Sequence, residues 1–271
     1  MAGAGWSSAG AALGRLWRAC VAWYRSCAVT AARMEGRERA RQAILQRAAG
    51  EPFERQETGL AALDDALGGG LPCERVVEVA GEPGCGKMTL ALQIAGHLQQ
   101  RGGMVAMAIE RKTLRGAYAR QLGVEPGGLL RIDPARGAET FVLAERLLRS
   151  RALALLVVDA LALVPGEADE AQADEENAEA WRELLAQGRT TLARALVGSG
   201  CCCLVLTPRR MIRAAAQRLQ FGEAVAVRSA RGVRVGEARV LEAVDREGEV
   251  RGRVRLVRQG GGGFRASPAM R

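Results

Sequence analysis

Aromatic residues are scarce in this chain: two tyrosines, four phenylalanines and four tryptophans in 271 residues. Alanine, glycine and arginine are abundant instead, so the sequence predicts an aliphatic core. Lysine is almost missing: Lys87 and Lys112 are the only two among 39 basic residues. The single histidine, His97, is expected to play a surface or core role, not a catalytic one. Seven cysteines show no paired metal-ligand spacing. Cys201, Cys202 and Cys203 are consecutive, and on a strand only alternate ones share a face. They read as small buried hydrophobes in a reducing cytosol. No apolar run is long enough to cross a bilayer as a helix. The length suits one domain or two small ones, with material for a sizeable core.

Residues 76–93, VVEVAGEPGCGKMTLALQ, organise the chain. Apolar β-formers lead into a glycine-rich turn, then a lysine, then an apolar-periodic segment. This is strand, loop, helix, and Gly81, Gly86 and Lys87 meet the pattern G-x-x-x-x-G-K. The intervening residues are Glu82, Pro83, Gly84 and Cys85. Glycines let backbone N–H groups converge on phosphate oxygens with no Cβ in the way. The positive end of the following helix points at the same phosphates. Lys87 is placed to reach the terminal phosphates. Its retention in a chain where arginine fills nearly every other basic position argues against a merely tight strand-to-helix turn. The next position ordinarily supplies a hydroxyl for Mg²⁺. Here it is Met88, and the hydroxyl arrives one residue late at Thr89.

The net charge of +9 is unevenly spread. Residues 51–204 carry sixteen basic and twenty-two acidic groups, and residues 205–271 carry fifteen and six. A basic C-terminal third suggests a polyanion-binding face, with arginine-biased drift as the alternative. Residues 1–33 contain no acid and four arginines. They read as an organellar targeting peptide or an upstream extension with the true start at Met34. Residues 35–49 suggest a short polar helix.

Beyond it, Thr58 is expected to cap a helix that packs Leu60, Leu63 and Leu67 on one face. Strands are expected at 104–109, 129–132, 154–159 and 201–207, and helices at 116–122, 138–151 and 181–197. The apolar run ALLVVD ends in Asp159, at the strand end where open parallel sheets hold ligands; Asp159 is the natural Mg²⁺ partner. Residues 167–183 read as an acidic, exposed loop becoming a helix, and 209–220 as a basic helix. Residues 225–227, 233–235, 239–244 and 251–257 alternate like antiparallel strands. Residues 260–271 read as a flexible tail.

The order of these pieces resembles the bacterial RecA recombinase family. TGLAALDDALGGGLPCERVVEVAGEPGCGKMTLALQ resembles the family's helix, glycine run and phosphate loop. AYARQLGVEPGGLL resembles its adenine-side segment and LLVVDALALVP its magnesium-binding strand. The likeness covers about residues 57–260. It implies an α/β fold of RecA type: a twisted, mostly parallel sheet between helices, with antiparallel strands near the C-terminus. The division is then 1–34 extension, 35–56 helix and linker, 57–259 ATP-binding core, 260–271 tail. It further implies ATP with Mg²⁺, stacking of Tyr118 on adenine, and a basic residue, Arg258, that reaches across a subunit boundary to a neighbour's ATP. Single-stranded DNA, repair proteins, a homo-oligomer or filament, the SOS response and a bacterial cytoplasm follow from the same likeness. Arg209, Arg210, Arg213 and Arg218 fall where the DNA-facing segment belongs.

The departures from the family pattern concern hydrolysis. Met88 replaces the metal-binding hydroxyl. Arg111 stands where the family has its catalytic glutamate, with Glu110 adjacent but facing the other way on a strand. Pro208 replaces the glutamine that senses the γ-phosphate, Gly260 replaces a second cross-boundary lysine, and the glycine-rich DNA loop after Met211 is missing. The expectation is a RecA-like ATP-binding protein of recombination or repair with weak or lost hydrolysis. The alternatives are a non-catalytic interaction module of a translesion-polymerase or RecA-regulating complex, and an active recombinase relying on Glu110 and Thr89.

Overall fold

The computed structural model describes residues 54–109, 114–132, 137–160, 188, 190–212, 215–228, 234–259 and 262–268. The expectations for residues 1–53, Glu110, Arg111, Lys112, the acidic 167–183 segment, Arg213 and Gly260 lie outside them. None of the helices among the described residues is long and apolar enough to cross a membrane.

Among the described residues, eleven strands and four helices with both ends defined follow one another. They are β1 (Arg55–Gln56), α1 (Ala61–Leu67), β2 (Leu71–Pro72), β3 (Val76–Ala80), α2 (Lys87–Gln100), β4 (Met104–Ala108), α3 (Gly116–Gln121), β5 (Leu129–Ile132), α4 (Gly137–Ser150), β6 (Leu153–Asp159), β7 (Cys202–Thr207), β8 (Gln217–Arg228), β9 (Arg234–Asp245), β10 (Val250–Arg258) and β11 (Phe264–Pro268). Residues 190–196 are also helical. β1 and β2 form a small antiparallel pair. The other nine strands make one sheet in the order β11-β10-β9-β8-β3-β7-β6-β4-β5. The half from β5 to β8 is parallel; β8, β9, β10 and β11 continue it as antiparallel neighbours. The expected mostly parallel sheet with antiparallel C-terminal strands is what the chain forms.

β3, β6 and β7 are buried on both faces, which explains their unbroken apolar runs. On one face Val77, Val79, Leu204 and Leu206 meet Leu63, Leu90 and Ile94 from α1 and α2. On the other, Val158, Cys203 and Val205 meet Phe141, Ala144 and Leu148 from α4, with Leu192 and Leu196. The cysteine triplet alternates as a strand dictates: Cys202 joins the first cluster, Cys201 and Cys203 the second. Burial pushes the Cys203 thiol up to about 12 and holds Cys201 well above its ordinary value. Cys202 is raised first by the hydrogen bond it shares with Cys73, whose Sγ lies 3.6 Å away, and then by burial.

These thiols stay neutral where unfolded thiols ionise. Their contribution to stability is therefore full below about pH 9 and is lost as the pH rises toward about 12. Alkylation at pH 8 is expected to leave Cys73 and residues 201–203 unmodified in the native protein and to modify them fully in denaturant, read by peptide mass. Native labelling at the unfolded rate would contradict this burial.

Three expectations are corrected. Thr58 does not cap α1; the N-cap is Leu60. Thr58 acts one step earlier: its Oγ1 accepts from the Leu60 N–H at 3.2 Å while its own N–H donates to Asp64 at 2.8 Å. The described residues of the basic 209–220 segment are not helical. Residues 217–220 pair in parallel with β3, so tertiary pairing overrides the helix propensity of RAAAQRLQ. The residues beyond 260 are not all tail, because Phe264–Pro268 forms β11 on β10. β10 and β11 are drawn together before Phe264: Gln259 N–H donates to Gly263 O, Gly262 N–H donates to Gln259 O, and Gly262 takes φ +88°.

Candidate nucleotide site

β3 delivers the chain to the edge of the sheet at Ala80, and the turn that follows is built around its glycines. Gly84 and Gly86 take φ of +74° and +106°, where an L side chain is strained. A Cβ on Gly81 would meet Cys85 Sγ and Phe221 Cβ at 2.8 Å, and one on Gly86 would run into the Phe264 ring. Gly86 caps α2, and Leu90 N–H bonds back to its carbonyl at 2.9 Å. The first N–H groups of a fourteen-residue helix thus open onto the loop.

Lys87 is only 8% exposed. Its ammonium spans the turn, donating to Gly81 O at 2.5 Å and Glu82 O at 2.9 Å, with Cys85 Sγ at 3.8 Å. A buried ammonium satisfied by carbonyls can exchange those partners for phosphate oxygens. Around it, Glu82 and Gly84 are exposed at the rim, Pro83 likewise, and Cys85 is buried beneath.

The carboxylate at the end of β6 lies on the same edge. Asp159 is in register with Leu206 of β7, and Leu206 with Val79 of β3. Asp159 is therefore level with the last residues before the loop and two strand spacings away, about 10 Å. Mg²⁺ is commonly held by one or two carboxylates together with phosphates and water. Asp159 fits that role. Met88 offers no oxygen and packs against the aliphatic core. Tyr118 Oη donates to Gly262 O at 2.9 Å, so the Thr89 hydroxyl, 2.7 Å from Tyr118 Oη, donates to the tyrosine. The Thr89 hydroxyl is thus engaged with Tyr118 in this structure. Among the described residues no group of three or more His, Cys, Asp or Glu could hold a metal by itself.

The predicted DNA-facing arginines separate. Arg209 and Arg210 are exposed just after β7. Arg218 is buried: its Nε donates to Glu78 Oε2 at 2.6 Å and its other amine to Ile212 O at 3.0 Å. It is removed from the phosphate-gripping set, because its charge neutralises Glu78 inside the fold. Glu78, 0% exposed in the middle of β3, also accepts from Thr207 Oγ1 and from the N–H groups of Met211 and Ile212. An acid inside VVEVA is a sequence signal for such a partner, since buried carboxylates require one.

Other contributors went unpredicted. Phe264 lies on Gly86, and Gln93 of α2 clasps its backbone, accepting from its N–H at 2.7 Å and donating to its carbonyl at 2.9 Å. Arg239 and Glu237 of β9 share a cleft with Gly84, Cys85, Arg258 and Phe264.

A parallel α/β sheet with a glycine-rich loop and lysine between its central strand and a buried helix defines a phosphate-loop protein. The profile of the RecA N-terminal domain matches residues 34–214. The chain is 38% identical to Protein RecA of Geobacter metallireducens over 156 residues, 57% of this chain and 46% of that protein. It is 36% identical to Protein RecA of Bifidobacterium breve over 155 residues, 56% and 40%. Against Protein RecA of Synechocystis the identity is 35% over 154 residues, 56% and 44%. The chain belongs to the RecA family, and it spans about half the length of the curated relatives it matches.

Proposed function

We propose that this chain is a RecA-like ATP-binding protein of DNA recombination or repair whose hydrolysis is weak or lost. One observation carries the reading: a glycine-built turn that holds the buried Lys87 ammonium on its own carbonyls and opens onto the first N–H groups of α2. A triphosphate fits that turn. The backbone amides and Lys87 would hold its oxygens, and Asp159 would hold Mg²⁺ directly or through water. When bound, Mg²⁺ would offset phosphate charge. Tyr118 lies beside the loop helix, where an adenine-stacking residue belongs, although its hydroxyl is engaged with Thr89 and Gly262.

The case for weak hydrolysis is chemical. Met88 stands in place of the metal-binding hydroxyl, Thr89 is turned to Tyr118, Arg111 occupies the position of the general base, and Pro208 that of the γ-phosphate sensor. Removing one such group costs roughly two to four orders of magnitude in rate. Hydrolysis of ATP is expected to stay near background with or without single-stranded DNA, measured as phosphate release. Robust DNA-stimulated turnover would restore the active-recombinase reading, with Glu110 as base.

A second reading, an interaction module for a repair polymerase or another RecA-like subunit, gains from the burial of Arg218, which thins the basic face. Arg209 and Arg210 remain exposed. On the favoured reading, anisotropy with a single-stranded oligonucleotide shows binding that falls steeply with salt. Absence of binding at low salt would favour the module.

A further inference from the structure

We infer that Phe221 and Phe264 are positioning residues of the nucleotide site: an aromatic prop beneath the phosphate loop that fixes its first and last glycines and acts through the backbone, not on the ligand. The inference rests on the reading of residues 81–89 as a polyphosphate site.

The loop has little to hold it from above. Glu82, Pro83 and Gly84 are exposed, and Gly84 and Gly86 take positive φ. Glycine has the widest backbone freedom of any residue, so its conformation has to be imposed by its neighbours. The Lys87 ammonium does part of this by stapling Gly81 O and Glu82 O together. A phosphate that takes over the ammonium releases that staple just when the loop has to keep its shape. What then remains is the bond from Gly81 N–H to Thr207 O at 3.2 Å and the packing underneath.

That packing is aromatic. The chain has only four phenylalanines, and two of them meet here. Phe221 of β8 lies against Gly81, where an added Cβ would come within 2.8 Å of the Phe221 Cβ. Phe264, the first residue of β11, lies against Gly86 with the Cζ edge of its ring foremost. Both phenylalanines are 5% exposed. Their ring centroids are 6.2 Å apart and their planes are tilted by 42°, within the range in which aromatic pairs attract. Each ring supports the other, and both ends of the loop rest on one unit.

The prop is itself tied to the helix that the loop opens. Gln93 of α2 accepts from the Phe264 N–H at 2.7 Å and donates to its carbonyl at 2.9 Å. Loop, helix and rings are therefore braced against one another. Without the rings, the ligand would have to order the loop on arrival. Fixing the backbone of one residue costs roughly a factor of ten in an equilibrium constant.

The test uses the full chain, labelled ATP with Mg²⁺, and inorganic triphosphate as competitor. Phe264→Ala and Phe221→Ala are each expected to weaken both ligands about tenfold, the cost of ordering one residue on binding. Phe264→Leu is expected to recover part of the loss. Phe264→Tyr adds an oxygen to the ring atom nearest Gly86 and is expected to weaken both ligands as well. Phe141→Ala is the control, because Phe141 is equally buried but packs on the other face of the sheet. Urea unfolding is expected to show its lost stability, while the folded protein keeps wild-type affinity. Should the alanine variants not fold, Phe264→Tyr decides. Wild-type affinity in Phe264→Tyr and in every folded alanine variant would overturn the inference. So would an equal loss in Phe141→Ala, which would show affinity merely following stability. A loss confined to ATP would place the ring on the base and would overturn it too. A wild type that binds neither ligand is a different failure, which removes the polyphosphate reading and this inference with it.

Discussion

Lys87→Ala is expected to weaken ATP binding by at least about a hundredfold. The side chain is buried, and its ammonium has two backbone carbonyls of the loop as partners. In the nucleotide complex it would give charge-assisted hydrogen bonds to phosphate. Such bonds contribute about 1.5–3 kcal/mol each, so two of them account for two orders of magnitude or more. Lys87→Arg is not expected to rescue. Its planar fork needs room that Gly81, Glu82 and Cys85 already occupy around the ammonium. Competition against a fluorescent nucleotide measures both variants. An affinity for Lys87→Ala within a few-fold of the wild type would mean that phosphate sits elsewhere.

The second large effect is on stability. Glu78→Ala is expected to destabilise the fold by about 3–5 kcal/mol, because it leaves Arg218 charged and buried without its carboxylate. Typical domains are stable by about 5–15 kcal/mol, so the loss is a large share of the whole. The same change frees the Thr207 hydroxyl and the Met211 and Ile212 N–H groups, all of which depend on one carboxylate oxygen. Thr207 ends β7 and Met211 and Ile212 follow it, at the end of the sheet that carries the phosphate loop; Gly81 N–H itself bonds Thr207 O at 3.2 Å. Replacing both partners with apolar residues of similar volume is expected to cost less than Glu78→Ala alone. Urea unfolding of the single and double variants reads the difference. A single variant within about 1 kcal/mol of wild type, well below the cost of breaking a buried pair, would contradict the role given to this pair.

The phosphate loop was legible because its determinants are local. Glycines, a lysine and the change from strand to helix period lie within a dozen or so residues of one another. The parallel strands were legible for a similar reason, as β6 and β7 are continuous apolar runs bounded by turns. What was misread depended on partners far along the chain. Alanine and arginine at 209–220 favour a helix when taken alone. Only the pairing of Gln217 with Val77, and of Arg218 with Glu78, makes residues 217–220 a strand. The run of glycines before Phe264 looks like a flexible tail until Gln93, 171 residues earlier, is seen to clasp the far side of the turn.

Calorimetric titration of MgATP into the folded full chain tests the central claim most directly. The account predicts saturable heat corresponding to one nucleotide per chain, no such heat with Lys87→Ala, and little phosphate released over the titration. A wild-type protein that is fully folded and gives no heat with ATP or ADP would contradict it.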